Sequence, residues 1–302
     1  MNYSLKIVVR MLGGLGNQLF QYAYARYIMS MYPNSEIYLD LREYKVYKIR
    51  KFDLDSMLLN KYVHKIEDGK SLYSDITRKI FHVYQYLYRK TNKKPLNLGP
   101  KFLLNRGLVY SGIGAYEELK LDHKTIYLYG YFQDIKVIEP IREILLSEFV
   151  NKSDISQKAK YYMELINSTE RSIAISIRCG KDYIESGWPV CSMEYYKKGL
   201  EILKKKYNNC KIFVFADEID KVKNEFELGD NVVYIEGCSP IESLCLLRNC
   251  DDFVISNSSF AWWGAYLSDS TNKNIIMPEQ WFVGIKTEET SLVIKNKTLI
   301  LE

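Results

Sequence analysis

The sequence predicts an α/β protein made of two Rossmann-like domains facing a cleft, with ligand sites at the C-terminal ends of parallel strands. Three observations carry this reading. From residue 172 onward, short apolar, β-branched runs alternate with segments of helical periodicity, the pattern of a parallel sheet with crossover helices. The first apolar run ends in Gly13-Gly14-Leu15-Gly16, a glycine turn that leads into a helix. A length of 302 residues accommodates two ordinary domains. The polar stretch Asn151-Lys152-Ser153-Asp154 divides them into residues 1–152 and 153–302.

In chain order, residues 4–11 form the first strand because Leu5, Ile7, Val8 and Val9 make an apolar run. A helix over 17–31 follows, with Leu19, Ala23, Arg26 and Tyr27 at helical spacing, and 36–40 is a second strand. Residues 41–125 carry weaker signals. The clearest is a helix over 71–91, where Ile76, Ile80, Val83, Tyr84 and Leu87 form an apolar stripe and Arg78, Lys79, Arg89 and Lys90 a solvated face. An anionic-lipid surface is the other reading of those cations. Residues 126–130 are a short strand and 139–149 a helix. The second half then runs strand 172–177, helix 192–207, strand 211–216, helix 220–227 and strand 232–235. It continues with helix 240–250, strand 253–256, helix 260–268 and strand 274–277.

Composition narrows the function classes. A content of 47% hydrophobic and 26% charged residues supplies ample core material. The net charge of +5 suits an acidic small ligand or an anionic membrane surface, and is too small and scattered for a nucleic-acid partner. No run approaches the roughly 18 apolar residues of a spanning helix. The N-terminal apolar stretch is too short for a signal peptide. The expected location is therefore the cytoplasm, with peripheral attachment at the inner membrane as an option. Cys179, Cys191, Cys210, Cys238, Cys245 and Cys250 lack C-x-x-C spacing and lie far from the histidines, which points to free thiols instead of a structural zinc site.

Three strand ends hold residues suited to chemistry. At the first, Gly14 and Gly16 allow close backbone approach, and Asn17 and Gln18 bring neutral donors to a helix start. With Asp40 ending the next strand, the same turn can be read as a dinucleotide fingerprint, although its G-G-x-G spacing departs from G-x-G-x-x-G. At the second, Arg178 stands at the mouth of the sheet, where a guanidinium grips phosphate oxygens in a fork; an ion pair with Asp182 is its plainer use. At the third, Asn257, Ser258, Ser259 and Phe260 open a helix whose leading N–H groups suit a pyrophosphate. A serine cap over a tryptophan-rich core helix is the bland alternative there. Asp217 and Glu218 add a carboxylate pair after strand 211–216, equally suited to helix capping. Asp53-Leu54-Asp55 has the spacing of metal-dependent sugar transferases, but follows no apolar strand and is read as structural. Together these ends describe a metal-free site for a sugar carried on a nucleotide diphosphate. Cleavage leaves about two negative charges on the departing diphosphate, which a guanidinium and oriented amides must stabilise.

The run Gly13-Gly14-Leu15-Gly16-Asn17-Gln18-Leu19-Phe20-Gln21-Tyr22-Ala23 resembles the N-terminal signature of glycosyltransferase family 11, the α-1,2-fucosyltransferases. So do Gly130-Tyr131-Phe132-Gln133, Phe215-Ala216-Asp217-Glu218, residues 256–265 and Pro278 with Trp281-Phe282. The matches keep the family's order from residue 8 to 282. The resemblance implies a GT-B fold, a GDP-β-L-fucose donor, inversion, no metal cofactor, and transfer to the 2-hydroxyl of a galactose in a glycan. It assigns Arg178 to the donor diphosphate and Asn17 to the facing N-terminal loop. It also places Gly14, Gly16, Asp217, Asn257, Ser258, Ser259 and Phe260 around the donor, and Glu242 near the ribose or guanine. The central motif departs from the usual His-x-Arg-Arg-Gly-Asp: Ser176 replaces the histidine, Cys179 the second arginine, and Lys181 precedes Asp182. The implied reaction is a displacement in which Arg178, Asn17 and the amides at Ser258 and Ser259 receive the diphosphate, while Asp182 or Glu185 deprotonates the acceptor. The acceptor it implies is a galactose-terminated oligosaccharide, with a lipid-linked precursor among the candidates. Two rival readings are an NAD-dependent oxidoreductase using the Gly13–Gly16 turn with Asp40, and a glycan-binding protein without activity, suggested by the 14% aromatic content.

Overall fold

The computed structural model describes residues 4–69, 75–92, 97–185, 187–295 and 297–302. The chain separates into two compact units, Met1–Val150 and Asn151–Glu302. Each is a twisted parallel sheet with helical crossovers.

Unit 1 contains β1 (Leu5–Arg10), α1 (Leu15–Met31), β2 (Ser35–Asp40), β3 (Val63–Ile66), α2 (Asp75–Thr91), α3 (Lys101–Leu104), β4 (Leu108–Ser111), β5 (Thr125–Gly130), α4 (Ile135–Ile138) and α5 (Arg142–Glu148). The sheet order is β3-β2-β1-β5-β4 and every pairing is parallel. Ile7, Val8 and Val9 of the central β1 are fully buried, as expected of a strand covered on both faces. The chain leaves β1 toward β2 and β3, then returns on the other side as β4 and β5. The strand order thus reverses between β1 and β5, the position where doubly wound sheets open a crevice. Val8, Tyr38 and Tyr127 share one register row, and Phe81 of α2 packs on that face with Leu103, Leu108 and Tyr110.

Two expectations for this unit need correction. Of the apolar stripe of α2 only the half-buried Tyr84 joins its buried face: Ile80, Val83 and Leu87 are 39%, 59% and 55% exposed, whereas Phe81, outside the stripe, is 1% exposed. Ring contacts fix this orientation, with Phe81 4.5 Å from Tyr110 and Tyr84 5.9 Å from Phe102. Residues 71–74 of the expected helix, and the side chains of Ile76, Arg78 and Arg89, lie outside those described. The expected helix over 139–149 is a 3-10 turn, Glu139–Ile141, followed by α5. Pro140 has no N–H to donate and occupies the start of that turn.

Unit 2 contains α6 (Gln157–Asn167), β6 (Ser172–Ile177), α7 (Lys181–Glu185), α8 (Met193–Lys204), β7 (Lys211–Ala216), α9 (Ile219–Glu225), β8 (Val232–Tyr234), α10 (Pro240–Arg248), β9 (Asp252–Ile255), α11 (Ser259–Leu267) and β10 (Ile275–Pro278). A short hairpin of β11 (Gln280–Phe282) and β12 (Ile285–Lys286) precedes β13 (Thr298–Leu301). The six-stranded sheet runs β13-β10-β9-β6-β7-β8, all parallel. Here the reversal lies between β6 and β9. Ser156, Ser192 and Ser239 accept first-turn amides and so start α6, α8 and α10.

Candidate active site

In unit 2 the register of β6 on β7 pairs Ile177 with Ala216, so Arg178 and Asp217 leave the sheet side by side. They form an ion pair with Nη1 2.6 Å from Oδ2. The Asp217 carboxylate also accepts the amides of Cys179 and Gly180, both at 2.9 Å. One carboxylate therefore fixes the guanidinium and the backbone that carries it. Both side chains retain partial access to solvent, 20% for Arg178 and 15% for Asp217. The guanidinium lies 5.2 Å from the Tyr183 ring centroid, within cation–π range. Burial raises the Tyr183 phenol above its ordinary range, so it stays neutral, and its hydroxyl donates to the Asn257 carbonyl at 3.4 Å. Tyr183 thus links the β6 end to the β9 end.

Past β9, Ser258 begins α11 without a side-chain cap on the first turn. The Ser258 amide instead donates to the Ser256 carbonyl at 2.7 Å, while Ser258, Ser259 and Phe260 are half-buried. Ser256 is 1% exposed and its hydroxyl oxygen has no hydrogen-bond partner. Asn257 departs from expectation. It is buried, its side-chain amide donates to the Trp281 carbonyl at 3.0 Å, and its Oδ1 faces the Cys191 thiol at 3.9 Å. The side chain ties β9 to β11, and its backbone carbonyl meets Tyr183.

Glu242 is a second correction. With Ser239 it forms a capping box on α10, and its other oxygen accepts the Ser156 amide at 2.6 Å. Burial alone would raise this carboxyl, but the bonds from Ser156 and Ser239 outweigh it and bring it down to about 2. The side chain joins α10 to the start of α6, which accounts for its position without a ribose or guanine. A folded-state carboxyl held below its ordinary 4.5 contributes stability above that pH, and the contribution fades as pH falls toward 2. Glu242→Gln should therefore lower Tm at neutral pH, with the gap to the parent protein closing between about pH 4.5 and pH 2. Thermal melts across that range check this; a gap independent of pH would contradict it.

Of the two carboxylates considered as bases, Glu185 is 65% exposed and pairs with Lys181 at 3.6 Å across one helical turn. Asp182 lies in α7 between Arg178 and Glu185, and its side chain is outside those described. Trp188, 41% exposed, stacks on Tyr183 with centroids 6.4 Å apart and meets Phe282 at 6.1 Å. This leaves an aromatic face beside the guanidinium.

In unit 1 the turn after β1 is over-determined. Gly13 has φ +88°, and a Cβ there would lie 2.7 Å from the Asn17 Nδ2. Gly14 caps α1 through its carbonyl, which accepts the amides of Asn17 and Gln18 at 3.0 and 3.1 Å. Gly16 is buried in the first turn of that helix. Across the reversal, Gln133 donates its Nε2 to Asn17 Oδ1 at 3.1 Å, while its Oε1 is buried without a partner. The Gln133 loop is itself strained. Phe132 adopts φ +53°, fully buried and stacked 4.4 Å from Tyr24. Gln18 and Gln21 are buried struts: Gln18 bonds the Gly13 and Lys51 carbonyls and the Asp53 amide, and Gln21 joins Leu12 to Gly130. Asp53 is held at this strut and Asp55 pairs with Lys65 at 2.7 Å, structural roles for both. Asp40 is occupied by Arg42 and the Tyr127 hydroxyl, bonded at 2.7 and 2.8 Å, and is not presented to a ribose.

The structure thus assembles Arg178, Asp217, Ser258 and Ser259 at one reversal and Gly14, Gly16 and Asn17 at the other. Tyr183, Gln133 and the role of Asp217 escape sequence reasoning. Gln133 had a signal in its Gly-Tyr-Phe-Gln motif, and Tyr183 had none beyond proximity to Arg178.

A profile described as Glycosyl transferase family 11 matches residues 114–290. An alpha-1,2-colitosyltransferase of Escherichia coli is 32% identical over 287 residues, covering 91% of this chain and 92% of the relative. The O-antigen biosynthesis glycosyltransferase WbnK of Escherichia coli is 28% identical over 302 residues, covering 90% and 93%. Among solved structures, the alpha-1,6-fucosyltransferase NodZ co-crystallized with GDP is similar in fold, with TM-score 0.55 and 15% identity over 87% of this chain and 92% of NodZ.

Proposed function

Since the chain belongs to glycosyltransferase family 11, we propose that it transfers L-fucose from GDP-β-L-fucose to the 2-hydroxyl of a galactose in a bacterial surface glycan, with inversion and without a metal ion. The observation that carries this is Arg178, held by Asp217 at the β6/β9 reversal beside the start of α11, where Ser258 makes no side-chain cap. A fixed guanidinium and the leading amides of a helix offer preorganised positive charge for a departing diphosphate. The acceptor hydroxyl attacks the anomeric carbon from the opposite side, the C1–O bond to GDP breaks, and a carboxylate of α7, Asp182 or Glu185, takes the proton. Asn17 orients the donor, with its amide set by Gln133. The acceptor is a galactose-terminated oligosaccharide, carried on a lipid in the fullest form of this reading, and the reaction takes place on the cytoplasmic side.

A second donor is favoured by one finding. The 32% identical relative is named a colitosyltransferase, and colitose is fucose lacking its 3-hydroxyl. A GDP-release assay comparing GDP-fucose with GDP-colitose on lactose, Gal-β1,3-GalNAc and Gal-β1,3-GlcNAc separates the two. Glycan binding without GDP release from either donor would replace transfer with a lectin-like role. EDTA should leave the rate unchanged. An activity abolished by EDTA and restored by manganese would overturn the metal-independent mechanism.

A further inference from the structure

We propose that the exposed face of α2 docks this protein on an anionic membrane surface, which deepens the proposed function by naming the surface that meets a lipid-carried acceptor. Ile80, Val83 and Leu87 stand at i, i+3 and i+7 and form one continuous stripe, 39%, 59% and 55% exposed. Tyr86, 58% exposed, lies beside it. The stripe cannot turn inward, because the opposite face is already committed. Phe81 is buried against Tyr110 and Tyr129, and Tyr84 meets Phe102.

Charge identifies the occupant. Between Asp75 and Thr91 the sequence carries Arg78, Lys79, Arg89 and Lys90 against the single carboxylate of Asp75. At about 3.6 residues per turn, Lys79 and Lys90 fall on the edge of the stripe next to Val83. Both are exposed, and the Lys90 ammonium lies 4.7 Å from the Tyr86 ring centroid. Apolar side chains bordered by an aromatic ring and lysines match an interfacial helix, with its stripe among acyl chains and its cations among headgroups. A second copy of the chain fits less well, since two-fold pairing would set these lysines against their own kind. Among the described residues no helix is long and apolar enough to cross a membrane, so attachment through α2 would be peripheral.

The test is flotation of the full chain with vesicles of phosphatidylcholine alone, or of phosphatidylcholine and phosphatidylglycerol in equal parts. Binding is expected only to the mixed vesicles, and should weaken with added salt. Val83→Ser with Leu87→Ser should lower the partition coefficient about tenfold, and Lys79→Gln with Lys90→Gln should weaken binding to the mixed vesicles and reduce its salt dependence. Tm and GDP release on a soluble acceptor should stay unchanged in both variants, so a failed docking proposal and a failed transfer proposal give different results. No binding to mixed vesicles, or binding that both variants retain, would overturn the inference. So would a dimer in solution that the serine variant dissociates.

Discussion

Arg178→Ala is expected to lower kcat by about a hundredfold to a thousandfold, equivalent to roughly 2.7–4 kcal/mol of transition-state stabilisation. The guanidinium is the charged member of the β6/β9 reversal that is held by a carboxylate and still reaches solvent. Its contribution grows as the C1–O bond breaks and negative charge gathers on the diphosphate, so the loss should fall on kcat more than on KM. Arg178→Lys should recover little. An ammonium is a point donor, and it cannot keep a bond to Asp217 while offering a fork to two phosphate oxygens. Single-turnover GDP release with saturating donor measures the effect, and melting curves control for folding. A kcat for Arg178→Ala within a few-fold of the parent enzyme would place the departing nucleotide elsewhere.

The strand that delivers Arg178 was legible because β6 is buried along its whole length. Ser-Ile-Ala-Ile-Ser-Ile reads as an unbroken apolar and small-residue run bounded by polar residues, and the expected and observed limits coincide. In the two parallel sheets the strands without a clear sequence signal, β3, β4 and β13, all lie at sheet edges, and the strands of the short β11–β12 hairpin carry none either. Edge strands pair on one side and are short; Val63-His64-Lys65-Ile66 carries two basic side chains and gives almost no strand signal. Helix α2 exposes a different limit. Periodicity finds a stripe, but Phe81 and Tyr88 make a second, overlapping stripe with Tyr84 on the same helix, and only the sheet decides which is covered. Glu242 carries a local signal of its own: Ser239-Pro240-Ile241-Glu242 is a capping-box sequence, which accounts for the side chain without a ligand. The partnership of Arg178 with Asp217 had no local signal, because it exists only through the parallel register of β6 on β7.

That partnership leads to the second large effect. Asp217→Ala removes an ion pair at 2.6 Å and the acceptors of two backbone amides at 2.9 Å. Charge-assisted bonds of this kind contribute about 1.5–3 kcal/mol each when buried and are not additive, so with partial exposure the combined loss of stability should be about 2–3 kcal/mol. Activity should fall about tenfold to a hundredfold through misplacement of Arg178. Asp217→Asn separates the two roles. Its carbonyl can still accept one backbone amide, which restores part of the stability. Either that carbonyl or the amide nitrogen must then face Arg178, and the nitrogen would set donor against donor. The Asn variant should therefore melt above the Ala variant while remaining nearly as slow. A double-mutant cycle settles whether Asp217 works through Arg178: in an Arg178→Ala background, Asp217→Ala should cost little further activity. If the two losses simply multiply, Asp217 acts on the substrate by itself, and its role as the anchor of the guanidinium would have to be abandoned.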